Sequence, residues 1–145
     1  MPITKTAKQL VDEAMQQVKT YSVEAVRARM TSPEVQIVDI RDVRELGEGT
    51  VTGAYHAPRC MLEFWVDPAS PYHKKMFADE GKEFILFCGA GWRSALAAKT
   101  LQDMGMTNVA HIEGGYEEWV KAGAPTETLE QQKARRTAGG SKIKG

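Results

Sequence analysis

The stretch FILFCGAGWRSALAAK, Phe84 to Lys99, decides how this chain is read. Its opening, within KEFILFC, is short and nearly all apolar, the pattern of a strand covered on both faces in a parallel sheet. Its close, within RSALAAKTLQDMGM, carries Leu96, Ala97, Thr100, Leu101 and Met104 at helical spacing and stops at Gly105. Between strand and helix lies a turn of Cys88, Gly89, Ala90, Gly91, Trp92 and Arg93, with Ser94 expected to open the helix. In open parallel sheets, ligands bind beyond the carboxyl ends of the strands, and Cys88 falls at such an end. Gly89, Ala90 and Gly91 have little or no side chain, so their amides can converge on one point. The helix N-terminus adds positive partial charge there. Such a field favours the thiolate, the form of cysteine that attacks. A lone cysteine at a strand end reads as a small buried hydrophobe. Together with Gly89, Gly91, Arg93 and Ser94 at this spacing, it reads as a sulfur at the centre of an anion cradle. Arg93 suits two tasks, binding an anionic substrate or bracing the loop, and the sequence leaves both open.

Outward from this turn, strands alternate with helices, which predicts an α/β domain around a mainly parallel sheet. SPEVQIVDI holds a dense β-branched strand over Val35–Ile40, followed by a polar turn closed by Gly47. TVTGAYHAP reads as one short extended piece broken by Gly53, and RCMLEFWVDPASPYHKKMF as an aromatic loop or short helix. TNVAHIEGG is the last strand, and YEEWVKAGAP a final helix stopped by Gly123. Three units result. Residues 1–20 form an amphipathic helix packed on the domain, with Leu10, Val11, Ala14, Met15 and Val18 at helical spacing and a capping box from Thr6 and Gln9. Ser22 caps a second helix. Residues 21–126 form the domain proper, and 127–145 a basic, solvated tail.

The 145 residues suit one core. With 42% hydrophobic and 26% charged residues and zero formal net charge, the chain lacks the basic excess of a nucleic-acid binder. Two cysteines are too few for a disulfide framework. The N-terminus has no apolar core of a secretory signal, and no apolar run is long enough to span a membrane. A cytoplasmic protein with Cys88 as a free thiol is expected. His56, His73 and His111 show no metal-ligand spacing with the cysteines and read as hydrogen-bonded structural residues; no metal is expected. There is no G-x-G-x-x-G or P-loop, so no cofactor is expected either.

The count from Cys88 to Arg93 separates two chemistries. Tyrosine-type phosphatases use Cys-x5-Arg to wrap a tetrahedral phosphate; the Cys-x4-Arg here makes a tighter ring, suited to one extra sulfur atom on the cysteine. At this point the chain resembles the single-domain rhodaneses, thiosulfate sulfurtransferases. CGAGWRS resembles their active loop, VDIRDVRELGEGTVTGAYHAP their N-terminal signature, and IEGGYEEWVKAGAP their closing Gly-Gly-aromatic segment, in the right order from about Tyr21 to Pro125. Thr50–Val51 replaces the His-Ile the family often carries. The resemblance implies a three-layer rhodanese-like fold, with Cys88 as nucleophile and persulfide carrier. Gly89, Ala90, Gly91, Trp92, Arg93 and Ser94 would form the binding loop.

Asp39 and Arg41 would support that loop, although an ordinary strand-end salt bridge describes Arg41 equally well. Glu45 is expected to pair with an arginine. Arg59, Cys60 and Trp65 are candidates for the pocket, joined at its mouth by Phe64 and Trp92. Arg59 is placed to meet a sulfonate. Cys60 reads as a spectator thiol or as a thiol resolving the Cys88 persulfide, and Trp119 as core. The implied partners are thiosulfate, cyanide and thiols, with no nucleic acid and no membrane. Two alternatives stand beside thiosulfate turnover: a persulfide relay between a protein donor and a protein acceptor, and a phosphatase or arsenate reductase of related fold.

Overall fold

The computed structural model of the protein describes residues 2–135. Five parallel strands make the central sheet: β1 (Lys19–Tyr21), β2 (Val35–Asp39), β4 (Tyr55–His56), β5 (Glu83–Phe87) and β6 (Val109–Ile112). Their spatial order is β1-β6-β5-β2-β4, which puts β5 in the middle. A second, two-stranded antiparallel sheet joins β3 (Thr50–Val51) to β7 (Thr126–Glu127). The helices are α1 (Ala7–Met15), α2 (Val23–Arg29), α3 (Leu62–Val66), α4 (Trp92–Asp103) and α5 (Gly115–Lys121).

The period of two along β5 builds three layers. Phe84, Leu86 and Cys88 face one side, where they pack with Leu62 and Val66 of α3 and Ala97, Ala98 and Leu101 of α4. Ile85 and Phe87 face the other, against Val23 and Val26 of α2 and Trp119 of α5. Trp119 is fully buried, as expected, and its indole N–H donates to the Pro125 carbonyl at 2.8 Å. The amphipathic α1 packs Val11 and Ala14 on Ala95 of α4. Its capping box is formed: the Gln9 N–H donates to Thr6 Oγ1 at 3.1 Å, and the Thr6 N–H to Gln9 Oε1 at 2.7 Å. Leu10 and Met15, expected on the packed face, lie at its exposed margin. Ser22 caps α2 through the Ala25 N–H.

Four features differ from the sequence reading. Lys19–Tyr21 is an edge strand paired with β6, so chain assigned to the N-terminal helix unit is part of the sheet. The piece read as one extended segment splits at Gly53 into β3 and β4, which belong to different sheets. Helix α4 begins at Trp92, two residues before Ser94, because Gly91 at φ +104° reverses the chain immediately ahead of it. The segment from residue 127 is ordered onto the domain as far as 135. Glu127 pairs in β7, residues 129–135 are helical, Gln132 is buried with its amide on the Ala54 carbonyl at 3.0 Å, and Arg135 binds Glu127 at 2.7 Å. The basic stretch beyond 135 lies outside the described residues.

Candidate active site

The C-terminal ends of β5, β2 and β6 meet at one edge of the sheet, and the turn after β5 occupies it. Cys88 is 1% exposed, with its side chain on the α4 side. Its Sγ accepts the Gly91 N–H at 3.1 Å and the Ser94 N–H at 3.4 Å, and lies 3.6 Å from Ser94 Oγ. Fixed amides therefore point at the sulfur from a helix N-terminus, an arrangement that stabilises negative charge there. The turn is gripped from behind by α5. The Tyr116 N–H donates to the Cys88 carbonyl at 2.8 Å and the Glu117 N–H to the Gly89 carbonyl at 3.0 Å. This contact explains the second glycine of the Gly-Gly pair: a Cβ on Gly115, at φ +62°, would sit 2.5 Å from the Cys88 carbonyl oxygen.

Of the two tasks open to Arg93, the structure shows the brace. Its guanidinium lies against Gly89 of the turn and meets Glu45 in a two-point contact, 2.8 and 2.9 Å. The hydrogen bond from Arg93 is the main reason the Glu45 carboxyl titrates below its ordinary value, and the same bond holds Arg93 above its own. Glu45 thus pairs with an arginine as expected, across 48 residues of sequence.

Asp39 and Arg41 lie beneath the site, buried. Arg41 donates from Nε to Asp39 Oδ1 at 3.0 Å and from NH2 to Oδ2 at 2.9 Å, with a further NH2 bond to the Gly49 carbonyl at 2.8 Å. The guanidinium lies 4.3 Å from the Tyr116 ring centroid, on the residue whose amide holds Cys88. Thr50 supplies a partner that motif reading missed: its hydroxyl donates to Asp39 Oδ2 at 2.7 Å from a fully buried position. The polar β-branched residue in a β-strand was the available signal, and its place in the signature drew attention to what it replaced.

Beside the turn is a cavity of about 430 Å³ whose lining includes Ile40, Asp42, Arg59, Cys60, Phe64 and Arg93. Arg59 is held by Glu63 at 2.7 Å. Cys60 is exposed and its thiol is free. Trp65 is elsewhere: it packs into the core against Tyr55, ring centroids 6.4 Å apart and near perpendicular, with Lys74 over its face. On the short α3 only one of two successive aromatics can face the cavity, and Phe64 is the one. Trp92 is half exposed beside the turn. His56 binds the Arg41 carbonyl at 2.7 Å and His73 the Trp65 carbonyl at 3.0 Å. His111 is also hydrogen-bonded, and one of its partners is Ser94 Oγ, 2.9 Å from Nδ1. Burial alone pulls its imidazole down to about 4. Among the described residues no cluster of His, Cys, Asp and Glu could hold a metal ion, and no helix is long and apolar enough to cross a membrane.

A parallel α/β sheet with a cysteine in an amide-lined turn at the end of its central strand places the protein among the Cys-centred α/β domains. Residues 22–122 match the model of the rhodanese-like domain, and the chain belongs to that family. It is 47% identical to a Rhodopseudomonas palustris structure, described as of unknown function and a possible tyrosine phosphatase. The two superpose with a TM-score of 0.83 over 88% of this chain and 98% of that one. The human thiosulfate:glutathione sulfurtransferase is 27% identical over 107 residues, 70% of this chain and 93% of that protein. The thiosulfate sulfurtransferase GlpE of Shewanella oneidensis is 28% identical over 110 residues, 76% of this chain and all of that protein. Two other relatives are longer, and the chain matches 46% and 49% of their length.

Proposed function

We propose that the protein is a sulfurtransferase that carries a sulfane sulfur on Cys88, taking it from thiosulfate or a similar donor and giving it to cyanide or a thiol. The observation that carries this reading is the pair of amides, Gly91 and Ser94, directed at Cys88 Sγ, with Arg93 engaged by Glu45. The Cys-x4-Arg turn is one residue shorter than the Cys-x5-Arg loop that wraps a tetrahedral phosphate, and its arginine is engaged by Glu45.

In the first step the Cys88 thiolate attacks the outer sulfur of thiosulfate. The thiosulfate S–S bond breaks, sulfite leaves with the electron pair, and a Cys88 persulfide anion remains. The amides of Gly91 and Ser94, which meet the sulfur at rest, lie beside the charge at both stages. In the second step a thiophile attacks the terminal sulfur, the new S–S bond breaks, and the Cys88 thiolate returns. Kinetics of the ping-pong type follow. Arg59 lines the cavity beside the turn, paired with Glu63, and would exchange that partner to meet the sulfonate end of the donor. Free thiol chemistry of this kind belongs to a reducing compartment, in keeping with a cytoplasmic enzyme.

A second reading, a relay that receives and delivers sulfur between proteins, is favoured by Trp92 and Phe64, both half exposed around the turn. One measurement tests the thiosulfate reading: intact mass after thiosulfate treatment; negligible gain there, with capture of a cysteine desulfurase, would favour the relay. Gain of one sulfur atom, removed by cyanide and absent in Cys88→Ala, is expected. No sulfur gain, together with Cys88-dependent turnover of an aryl phosphate, would overturn it.

A further inference from the structure

Behind the turn, four side chains stand in hydrogen-bonded file. Cys88 Sγ lies 3.6 Å from Ser94 Oγ, Ser94 Oγ 2.9 Å from His111 Nδ1, and His111 Nε2 3.1 Å from Thr20 Oγ1. The strand register makes this file: β1 sets Thr20 opposite His111, and β5 sets Leu86, two residues before Cys88, on its other flank. Cys88, Ser94 and His111 are buried, whereas Thr20 is partly exposed, so the file runs from the sulfur to the edge of the sheet. We propose that His111 is a positioning residue whose tautomer follows the ionisation of Cys88 and turns the Ser94 hydroxyl onto the thiolate. The proposal rests on the sulfur-transfer reading for its purpose, the supply of an attacking thiolate.

A hydroxyl has one hydrogen to donate, and a neutral imidazole has one N–H and one bare nitrogen. With Cys88 as a thiol, its S–H donates to Ser94 Oγ, the Ser94 hydrogen goes to Nδ1, and Nε2–H donates to Thr20 Oγ1. A thiolate only accepts, and its charge draws the Ser94 hydrogen to the sulfur in preference to the neutral acceptors. Nδ1 must then carry the hydrogen that Ser94 Oγ accepts, and Nε2 becomes the acceptor of the Thr20 hydroxyl. The change balances. The thiol proton passes to Ser94 Oγ, the Ser94 proton to Nδ1, the Nε2 proton to Thr20 Oγ1, and the Thr20 proton to water. Nothing is oxidised, and the ring stays neutral in both forms, as its buried setting requires. The Gly91 carbonyl, 3.3 Å from Ser94 Oγ, is the competing acceptor for the serine hydrogen.

The charged and titratable groups around the sulfur end are Arg93 from α4, Glu45 from the turn after β2, the Asp39–Arg41 pair, and Tyr116 from α5. At the other end His111 meets Thr20, whose hydroxyl also approaches Met15 Sδ at 4.0 Å.

The test uses the full chain, 15N-labelled, with the His111 ring nitrogens followed by NMR across the pH range in which the imidazole is neutral. Cys88→Ser, which does not ionise, is the reference. The Nε2–H tautomer is expected in Cys88→Ser at every pH. In the wild type it should give way to Nδ1–H with the same midpoint as alkylation of the Cys88 peptide by iodoacetamide. Ser94→Ala should alkylate about tenfold more slowly at neutral pH and uncouple the His111 tautomer from pH. Thr20→Val should slow alkylation a few-fold. A single His111 tautomer throughout the wild-type titration, or a change with a midpoint unrelated to alkylation, would overturn the proposal, and that readout depends on no variant folding. Neither measurement uses thiosulfate. A tautomer switch without sulfur gain would sink the transfer reading alone, and sulfur gain without the switch would sink this one alone.

Discussion

Asp39–Arg41 and Glu45–Arg93 are both carboxylate–guanidinium pairs with two-point geometry, and they sit in opposite surroundings. In the first, side-chain exposure is 0% and 5%, and the further contacts go to protein, among them the Thr50 hydroxyl, the Gly49 and Glu45 carbonyls and the Tyr116 ring. In the second, it is 36% and 46%, and water reaches both partners. Burial makes a charge expensive to leave alone, whereas an exposed charge is screened and easily resolvated. The buried pair is therefore a matter of folding, and the exposed pair a matter of where the Cys88 turn sits.

Asp39→Ala breaks the comparison at its strongest point, leaving Arg41 buried without its carboxylate. Unfolding in urea should show a loss of about 3–5 kcal/mol. A loss near that of a surface pair would mean that Arg41 escapes to solvent. Next comes pH. His111 is held neutral by burial and titrates at about 4 instead of its ordinary 6.5, so the unfolded chain takes up its proton first. Stability should fall as pH drops from 6.5 towards 4, by on the order of 3 kcal/mol, and the slope should flatten in His111→Asn. The exposed pair responds in a lower window. With Glu45 held below 4.5, its contribution is present above that value and goes only as pH falls through the lowered one. The smallest change in stability is expected for Glu45→Gln, under about 1 kcal/mol by the same urea measurement. Sulfur loading of Cys88 in that variant should nonetheless slow roughly ten- to hundredfold, because the turn loses its brace. Equal losses of stability in Asp39→Ala and Glu45→Gln would erase the distinction.

The two pairs also show what the sequence made legible. The unbroken apolar run of FILFC and the glycines after it were enough to place a central strand and an amide-lined turn, because both follow from local geometry. That Glu45 would find an arginine was readable from its motif. Whether Arg93 would face a ligand or Glu45 was not, since that depends on how the β2 and β5 ends meet in space. The strand at Lys19–Tyr21 was missed because three residues at a sheet edge have no periodicity to detect, and with it went Thr20 as a neighbour of His111. Trp65 was misplaced for a related reason: next-door aromatics on a single helical turn face different ways, and spacing alone does not say which. Thr50 was read as a departure from a motif; three-dimensional packing makes it a donor to Asp39.

The clasp between β3 and β7 bears on where this chain can be cut. The family match ends at residue 122, yet the strand that pairs with Thr50–Val51 begins at Thr126, and the groups that hold the Ala54 carbonyl are Gln132 and Arg135. A chain trimmed to the family boundary would keep every residue of the Cys88 turn and lose the partner of the strand that hands Thr50 to Asp39. The shortest piece that contains the chemistry is thus shorter than the shortest piece that contains its foundations.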